Sequence, residues 1–492
     1  VYSNSSMMVF GSCTSNGYFF DPTPCNGCPT PAGCFYCIVT PLTSDLPNTI
    51  SGNVMFNAFN DNCATGLPFT NRKVSTTNGV NTYASYTNAA GNYSIYIPTT
   101  GNYSTEALSN LGSNFSSSPA SIPVASSGNN VDYANTNFCI SSATNYADLH
   151  VVLIPLDQPR PGFAANYKIY YRNFGSTSLS GTIELTFDNV QATFYSSNPA
   201  VNSTATNTVI WNYSNLLPFE SRMITLSLNV LPPPVVNVGN LLDFTLVGNP
   251  VAGDANPDDN TLTMQQTVMS SFDPNDKTVI QGSYIGQDQV DDYLHYVTRF
   301  QNTGNFAATT VVIKEMLDPE LDWDTFEPID ASHNYSVQVL NSNDVTYTFP
   351  NINLPDSTSD EPGSHGWMAY RIKPKSTLAL NEVMSSYSDI YFDFNEPVIT
   401  NTVDTQLQQL STTEFAANNF VVYPNPAANL IAIESNNANG YEYQISDING
   451  KMLMRGNGSD GAQIDITVLQ SGFYFLTVSG NNGKAIQKFI KN

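Results

Sequence analysis

The 492-residue chain is too long for one hydrophobic core, and at roughly 150 residues per domain it divides into three or four units. Only 12% of its residues are charged, and 17 Lys plus Arg against 41 Asp plus Glu leave a net charge of −24, which repels phosphate backbones and anionic head groups and sets nucleic acid aside as a partner. No run approaches the roughly 18 apolar residues of a membrane span, and residues 1–20 lack the basic start and apolar core of a signal peptide, so the expectation is a removed signal or a fragment of something longer.

In chain order, residues 1–46 are rich in Cys, Pro and Gly with few periodic apolar runs, the pattern of a stapled cap or the tail of a missing domain. All seven cysteines lie before residue 140: Cys13, Cys25, Cys28, Cys34, Cys37, Cys63 and Cys139. The run CNGCPTPAGCFYC holds two CxxC pairs five residues apart, a spacing that suits a four-thiolate zinc site and equally a disulfide framework, the plainer reading in a secreted chain. Cys63 and Cys139 bracket one sandwich-sized segment and are expected to pair with each other. Five cysteines remain, an odd number, so one is free, bonded to another chain or short of a partner upstream.

Residues 47–140 alternate short strands (ISGNVMFNAFNDN, RKVSTTNG, YSIYIP, VDYANTNFCI) with Asn/Gly turns. The order GNV, turn, AAGNYSIYIP, with Gly91 and Tyr93 opening the later strand, resembles the carboxypeptidase-regulatory-like and transthyretin-like modules of bacterial surface proteins. The resemblance implies a β-sandwich here.

An internal repeat follows. YKIYYRNFG (167–175) matches YVTRFQNTG (296–304), placing Tyr167 on Tyr296, Tyr171 on Phe300, Asn173 on Asn302 and Gly175 on Gly304. Downstream, TVIWNYSNLLP answers DVTYTFPNINLP, with Leu217 and Pro218 on Leu354 and Pro355. Repeated units mean repeated folds, so two domains are expected, 145–270 and 271–408, each with the two-residue alternation of half-buried strands in an immunoglobulin-like sandwich. These segments resemble the conserved Ig-like repeat domains of bacterial surface proteins, in which N-x-G ends a core strand and FDPNDK, here residues 272–277, opens a unit. That resemblance implies stalks, spacers or adhesive modules without catalysis. The fold class expected is all-β, with tandem immunoglobulin-like β-sandwich domains in an elongated array.

Hard oxygen ligands gather where the two repeats meet: Asp254, Asn256, Asp258, Asp259 and Asn260, with Asp273, Asn275 and Asp276. Calcium bridging the repeats is the one cofactor this suggests, with Asp254, Asp258, Asp273 and Asp276 as the leading ligands. Asn and Asp also build turns through their own side chains, and that alternative stays open. His150, His295, His333 and His365 are widely spaced, and HExxH, GxSxG, phosphate-loop and GxGxxG patterns are absent, so no catalytic residue is assigned. His295, beside Asp291 and Asp292, is expected in a solvated turn. Of Trp211, Trp323 and Trp367, candidates for sugar stacking, Trp211 falls in a repeated strand and reads as core, whereas Trp323 lies in an acidic loop and is the better candidate for exposure.

Residues 409–419 are polar and aperiodic, a linker. Beyond them, residues 420–492 carry Tyr423-Pro424-Asn425-Pro426-Ala427, a turn from Asp447 through Gly450 to Lys451, Leu469 with Ser471-Gly472-Phe473-Tyr474, and Lys488-Phe489-Ile490-Lys491. In this order these elements closely resemble the type A carboxy-terminal sorting domain of the type IX secretion system. Physically, the prolines hold the entering chain extended and the Asn-Gly turn admits positive φ. The resemblance implies export handled by the outer-membrane translocon, shuttle and sorting protease, with Tyr423, Pro424, Asn425, Pro426, Asp447, Gly450, Lys451, Gly472, Tyr474, Lys488 and Lys491 as the sorting signal. Ser357, in Asp356-Ser357-Thr358, resembles the protein O-glycosylation sites of bacteria with this route. The function expected is a secreted structural or adhesin-type protein on the extracellular face of the outer membrane, not an enzyme, with a surface glycan or protein as ligand. The alternatives are the accessory part of a secreted hydrolase or a carbohydrate-binding protein.

Overall fold

Period-two alternation carries the fold. Along Thr208–Leu216, Val209, Trp211 and Tyr213 point inward while Asn212 and Ser214 face out, as one face of a pleated strand requires. The computed structural model describes residues 47–58, 61–107, 111, 114–270, 273–409, 420–435, 440–447, 451–459, 461–480 and 483–492. The five amino-terminal cysteines, linker residues 410–419 and Gly450 lie outside the described residues. The chain forms two compact units, one up to Gln408 and one from Gln409.

In the first unit, a first sandwich centres on Asn48–Phe56, which pairs antiparallel with Asn92–Ile97 and parallel with Phe138–Ser142. Gly91 permits this pairing: its φ is +77°, and a Cβ there would lie 2.5 Å from the Val54 carbonyl oxygen. Tyr93 is buried and donates to the Thr136 carbonyl at 2.6 Å. Cys63 and Cys139 form a disulfide. The facing layer runs Thr82–Tyr86, Lys73–Thr77, Gly101–Glu106, Ile122–Ser126.

The duplicated segments build equivalent sheets. Leu149–Pro155, Ala164–Asn173, Ser221–Val230 and Ala192–Asn198 pair in that order, and Asp276–Val279, Leu294–Gln301, His365–Pro374 and Leu321–Ala331 repeat it. The N-x-G motif has the same task in both. Asn173 Nδ2 donates to the carbonyls of Thr177 (2.7 Å) and Leu216 (3.0 Å), and its Oδ1 accepts from Gly175 N–H. Asn302 Nδ2 donates to Phe306 (2.8 Å) and Leu354 (3.0 Å), and its Oδ1 accepts from Gly304. This clamp sets the residue equivalent to Leu354 at Leu216, one position before Leu217, which the sequence alignment had matched to it. The buried leucine, rather than the Leu-Pro pair, is what the two copies share.

The three sandwiches are serial along the chain, and within this unit they also close on one another. Leu340, Val339 and Gln338 pair antiparallel with Tyr83, Ala84 and Ser85, joining layers of the first and third sandwiches into one nine-stranded sheet. Ala84 and Tyr86 pack into the third core, and Phe219 of the second packs into the first, stacked at 3.8 Å on Phe69. Val297, Ile329, Trp367 and Ala369 join the core of the second.

The second unit is a small sandwich of two sheets, Phe420–Tyr423, Leu430–Ser435 and Gln463–Asp465 against Met452–Gly458, Tyr441–Ser446, Gly472–Gly480 and Gly483–Lys491. Ile431, Ile433, Ile445, Leu476 and Phe489 form its core.

Candidate functional site

The tail residues converge on the last strand. Asn425 Oδ1 accepts from Ile490 N–H at 2.9 Å, and its Nδ2 donates to the Lys488 carbonyl at 3.2 Å. The Ala427 N–H donates to Ile490 O at 2.7 Å, and Ala427 O accepts from Asn492 N–H at 2.8 Å. Pro424 and Pro426, with no N–H to give, leave Asn425 and Ala427 to make these bonds. Tyr423 is largely exposed, in strand Phe420–Tyr423. The Tyr474 ring stacks on Phe489 and its hydroxyl donates to Gln470 O at 2.7 Å, while Gly472 opens the same strand. Asp447 and Lys451 exchange two bonds, Asp447 N–H to Lys451 O and Lys451 N–H to Asp447 Oδ1, each 3.0 Å. The Lys488 ammonium lies over the Phe473 ring at 4.2 Å, and Lys491 is buried along its stem. The residues expected to form the sorting signal therefore surround an extended carboxy-terminal strand at the edge of a four-stranded sheet, pinned by Asn425 and Ala427.

Of the four leading calcium ligands, only Asp254 joins a convergent set. Its carboxylate lies with those of Asp148 and Asp259, one oxygen of each within 4.8 Å of the others. Asp254 accepts from Leu149 N–H at 2.8 Å and Asn256 N–H at 2.9 Å. Burial pushes Asp148 up to about 7 and Asp259 up to about 8, with Asp254 adding repulsion to both. Asp258 is exposed beside them, and Asp273 accepts from Asn275 N–H in the turn foreseen as the alternative. Asp276 is committed to Arg299, which also donates to Pro155 O across the second and third sandwiches. Sequence reading missed Asp148, which reaches the set because Ala147 bridges to Asp254 from 107 positions away.

A second polar assembly sits where the three sandwiches meet. Glu327 accepts from Arg172 Nη1 at 2.8 Å and from Arg371 Nη2 and Nε at 2.8 and 3.1 Å. Burial alone would raise its pKa; Arg371 and then Arg172 outweigh that and hold it below the ordinary carboxylate value. Arg172 also donates to Thr70 O of the first sandwich, and Tyr86 donates to Phe326 O at 2.6 Å. Beside this network, His150 and His295 stack with Nε2 atoms 3.3 Å apart. Gln281 accepts His295 N–H through Oε1, so its Nε2 donates to His295 Nδ1; His295 Nε2–H then donates to His150. His295 is thus buried on a strand, not in the solvated turn expected, and burial with Arg371 nearby pushes it down to about 3. His150 is likewise held well below its ordinary value by burial.

The tryptophans are engaged. Trp211 is core, donating to Ser197 Oγ and Pro199 O, each 3.2 Å; Trp367 is buried with the Lys168 ammonium 4.9 Å over its ring. Trp323, expected to be exposed, is partly buried and donates to Asp318 O at 2.8 Å. Ser357 is half-buried beside Asp356, whose carboxylate accepts the Thr358 and Ser359 N–H groups and the Ser359 hydroxyl.

Serial β-sandwiches ending in a self-contained module with a pinned terminal strand define an all-β multidomain protein. Residues 421–492 match the secretion system C-terminal sorting domain, so the chain ends in such a domain and is secreted by the type IX route to the cell surface. Residues 273–406 match a domain of unknown function, DUF7619. No curated protein matches. Among solved structures, the BSP domain of a biofilm-associated protein is 9% identical, with TM-score 0.20, over 70% of this chain and 81% of that one. The collagen adhesin of Staphylococcus aureus is 14% identical, with TM-score 0.20, over 54% and 92%. The major pilin subunit of Bacillus cereus is 10% identical, with TM-score 0.19, over 75% and 96%. No helix among the described residues is long and apolar enough to cross a membrane.

Proposed function

We propose that this is a non-catalytic adhesin-type protein of the extracellular face of the outer membrane. The modules 47–140, 145–270 and 271–408 form its interaction body, residues 409–419 its linker and residues 420–492 its address. The translocon, shuttle and sorting protease act on that address, and a surface glycan or protein is the ligand of the body. The observation that carries this reading is the sorting-domain match over 421–492, with the terminal strand pinned by Asn425 and Ala427.

The test is surface exposure in a type IX-competent bacterium, comparing the full chain with a variant ending at Gln487 and with Asn425→Ala. Surface labelling of the full chain and periplasmic retention of the truncation are expected, with Asn425→Ala intermediate. Equal surface labelling of the truncation would refute the address. Binding of the full chain to an array of glycans and matrix proteins tests the body; hydrolysis of any arrayed glycan would overturn the non-catalytic reading.

A further inference from the structure

Charges buried in a protein are paired, because an unpaired ion loses its hydration for nothing. The three-sandwich junction breaks this pattern at Arg72. It is 7% exposed, yet among the described residues its guanidinium bonds a backbone carbonyl, Nε donating to Ala107 O at 2.7 Å, and Nη2 has no partner. Glu327 bonds Arg172 and Arg371 instead. Burial pulls the Arg72 guanidinium down to about 10, and the charge of Glu327, which makes no hydrogen bond to it, offsets only part of that.

A cavity of about 280 Å³ opens beside Arg72. Its lining carries five cationic side chains against three carboxylates, a local excess of positive charge on a chain of net charge −24. Its walls include Phe69, Tyr86, Phe115 and Phe219. We propose that this cavity binds a small organic carboxylate, with the Arg72 guanidinium as its counter-ion and the aromatic rings against its apolar face. The chemistry is already present in the cavity: Glu327 is a carboxylate seated between two guanidinium groups, and Arg72 brings a third guanidinium to the same lining. The volume falls near the lower bound of about 300 Å³ for small-molecule sites, enough for one sugar ring or one aromatic acid. The inference stands independently of the surface-protein reading.

The test is the thermal unfolding of the full chain with sodium acetate, benzoate or glucuronate, against glucose and sodium chloride at matched ionic strength. At ten times its Kd, a bound carboxylate is expected to raise the Tm of the first unit by about 2 °C, with glucose and chloride leaving it unchanged. Arg72→Met, close in volume and uncharged, should keep the basal Tm within a few degrees and lose the rise. Should Arg72→Met fail to fold, Arg72→Lys, which keeps the charge without the planar fork, should weaken carboxylate affinity about tenfold by calorimetry. No shift in wild type with any of the three carboxylates, or a full shift in the Arg72 variant, would overturn the proposal.

Discussion

Glu327 is the sharpest point at which to perturb the first unit, because one carboxylate there holds two guanidinium groups from two sandwiches. Glu327→Gln keeps the shape and removes the charge, leaving Arg172 and Arg371 buried at 1% and 5% exposure and taking from Arg72 the nearby negative charge as well. Breaking a buried pair in this way costs about 3–5 kcal/mol. At about 2.1 cal/mol/K of unfolding entropy per residue, residues 47–408 give roughly 0.8 kcal/mol/K, so the expected fall in Tm is about 4–6 °C. Urea unfolding at pH 7 measures the loss directly, and the double variant with Arg172→Met isolates the pair, with a coupling of at least about 1 kcal/mol expected. The sign with pH is fixed by the carboxylate: its folded value lies below the ordinary 4.5, so its contribution is complete above that value and is lost as pH falls through the folded value. Glu327→Gln should flatten that limb. A loss under about 1 kcal/mol at pH 7, or an unchanged acid limb, would refute the account of the junction as an ionic clamp.

The buried histidine pair predicts a second pH response. Both folded values are lowered, so stability is complete above about 6.5 and falls with acid by about 1.4 kcal/mol per pH unit per histidine; His150→Phe should halve the slope of stability between pH 6.5 and 5. Asp148 behaves oppositely. Raised to about 7, it contributes most when protonated and loses that contribution as pH rises from about 4 to 7, so Asp148→Asn should gain about 1–3 kcal/mol at pH 8. Calcium at pH 8 should raise the Tm of wild type and not of Asp148→Asn, and a Tm indifferent to calcium and to chelator would end the metal reading. Removing Cys63–Cys139, 76 residues apart, with paired serines should cost about 4 kcal/mol by denaturant unfolding, and a loss below 1 kcal/mol would contradict the chain-entropy argument.

Local period and duplication were legible in the sequence; the junction was not. The alternation of Val209, Trp211 and Tyr213 and the shared N-x-G of Asn173 and Asn302 are short-range signals, and each corresponds to a strand or a clamp in the structure. The tail was legible because its elements follow one another in a fixed order. Glu327, Arg72 and Arg172 meet from three separate segments, and nothing in the neighbourhood of any one of them marks the encounter. Asp148 escaped for the same reason, since its partners arrive from Asp254 and Asp259 along another strand end. The one-residue slip at Leu217 arose because Leu216 and Leu217 are indistinguishable by pattern, and only the carbonyl that accepts from Asn173 tells them apart.

The strand pairing of Ser85 with Gln338, 253 positions apart, has a consequence for biogenesis. As the chain emerges from amino to carboxyl end, Thr82–Tyr86 must wait with an unsatisfied ladder until Ser336–Leu340 arrives, and an open edge of that kind invites mispairing with a neighbouring copy. Closure of the nine-stranded sheet therefore waits on the third sandwich, whatever the order in which the separate cores form.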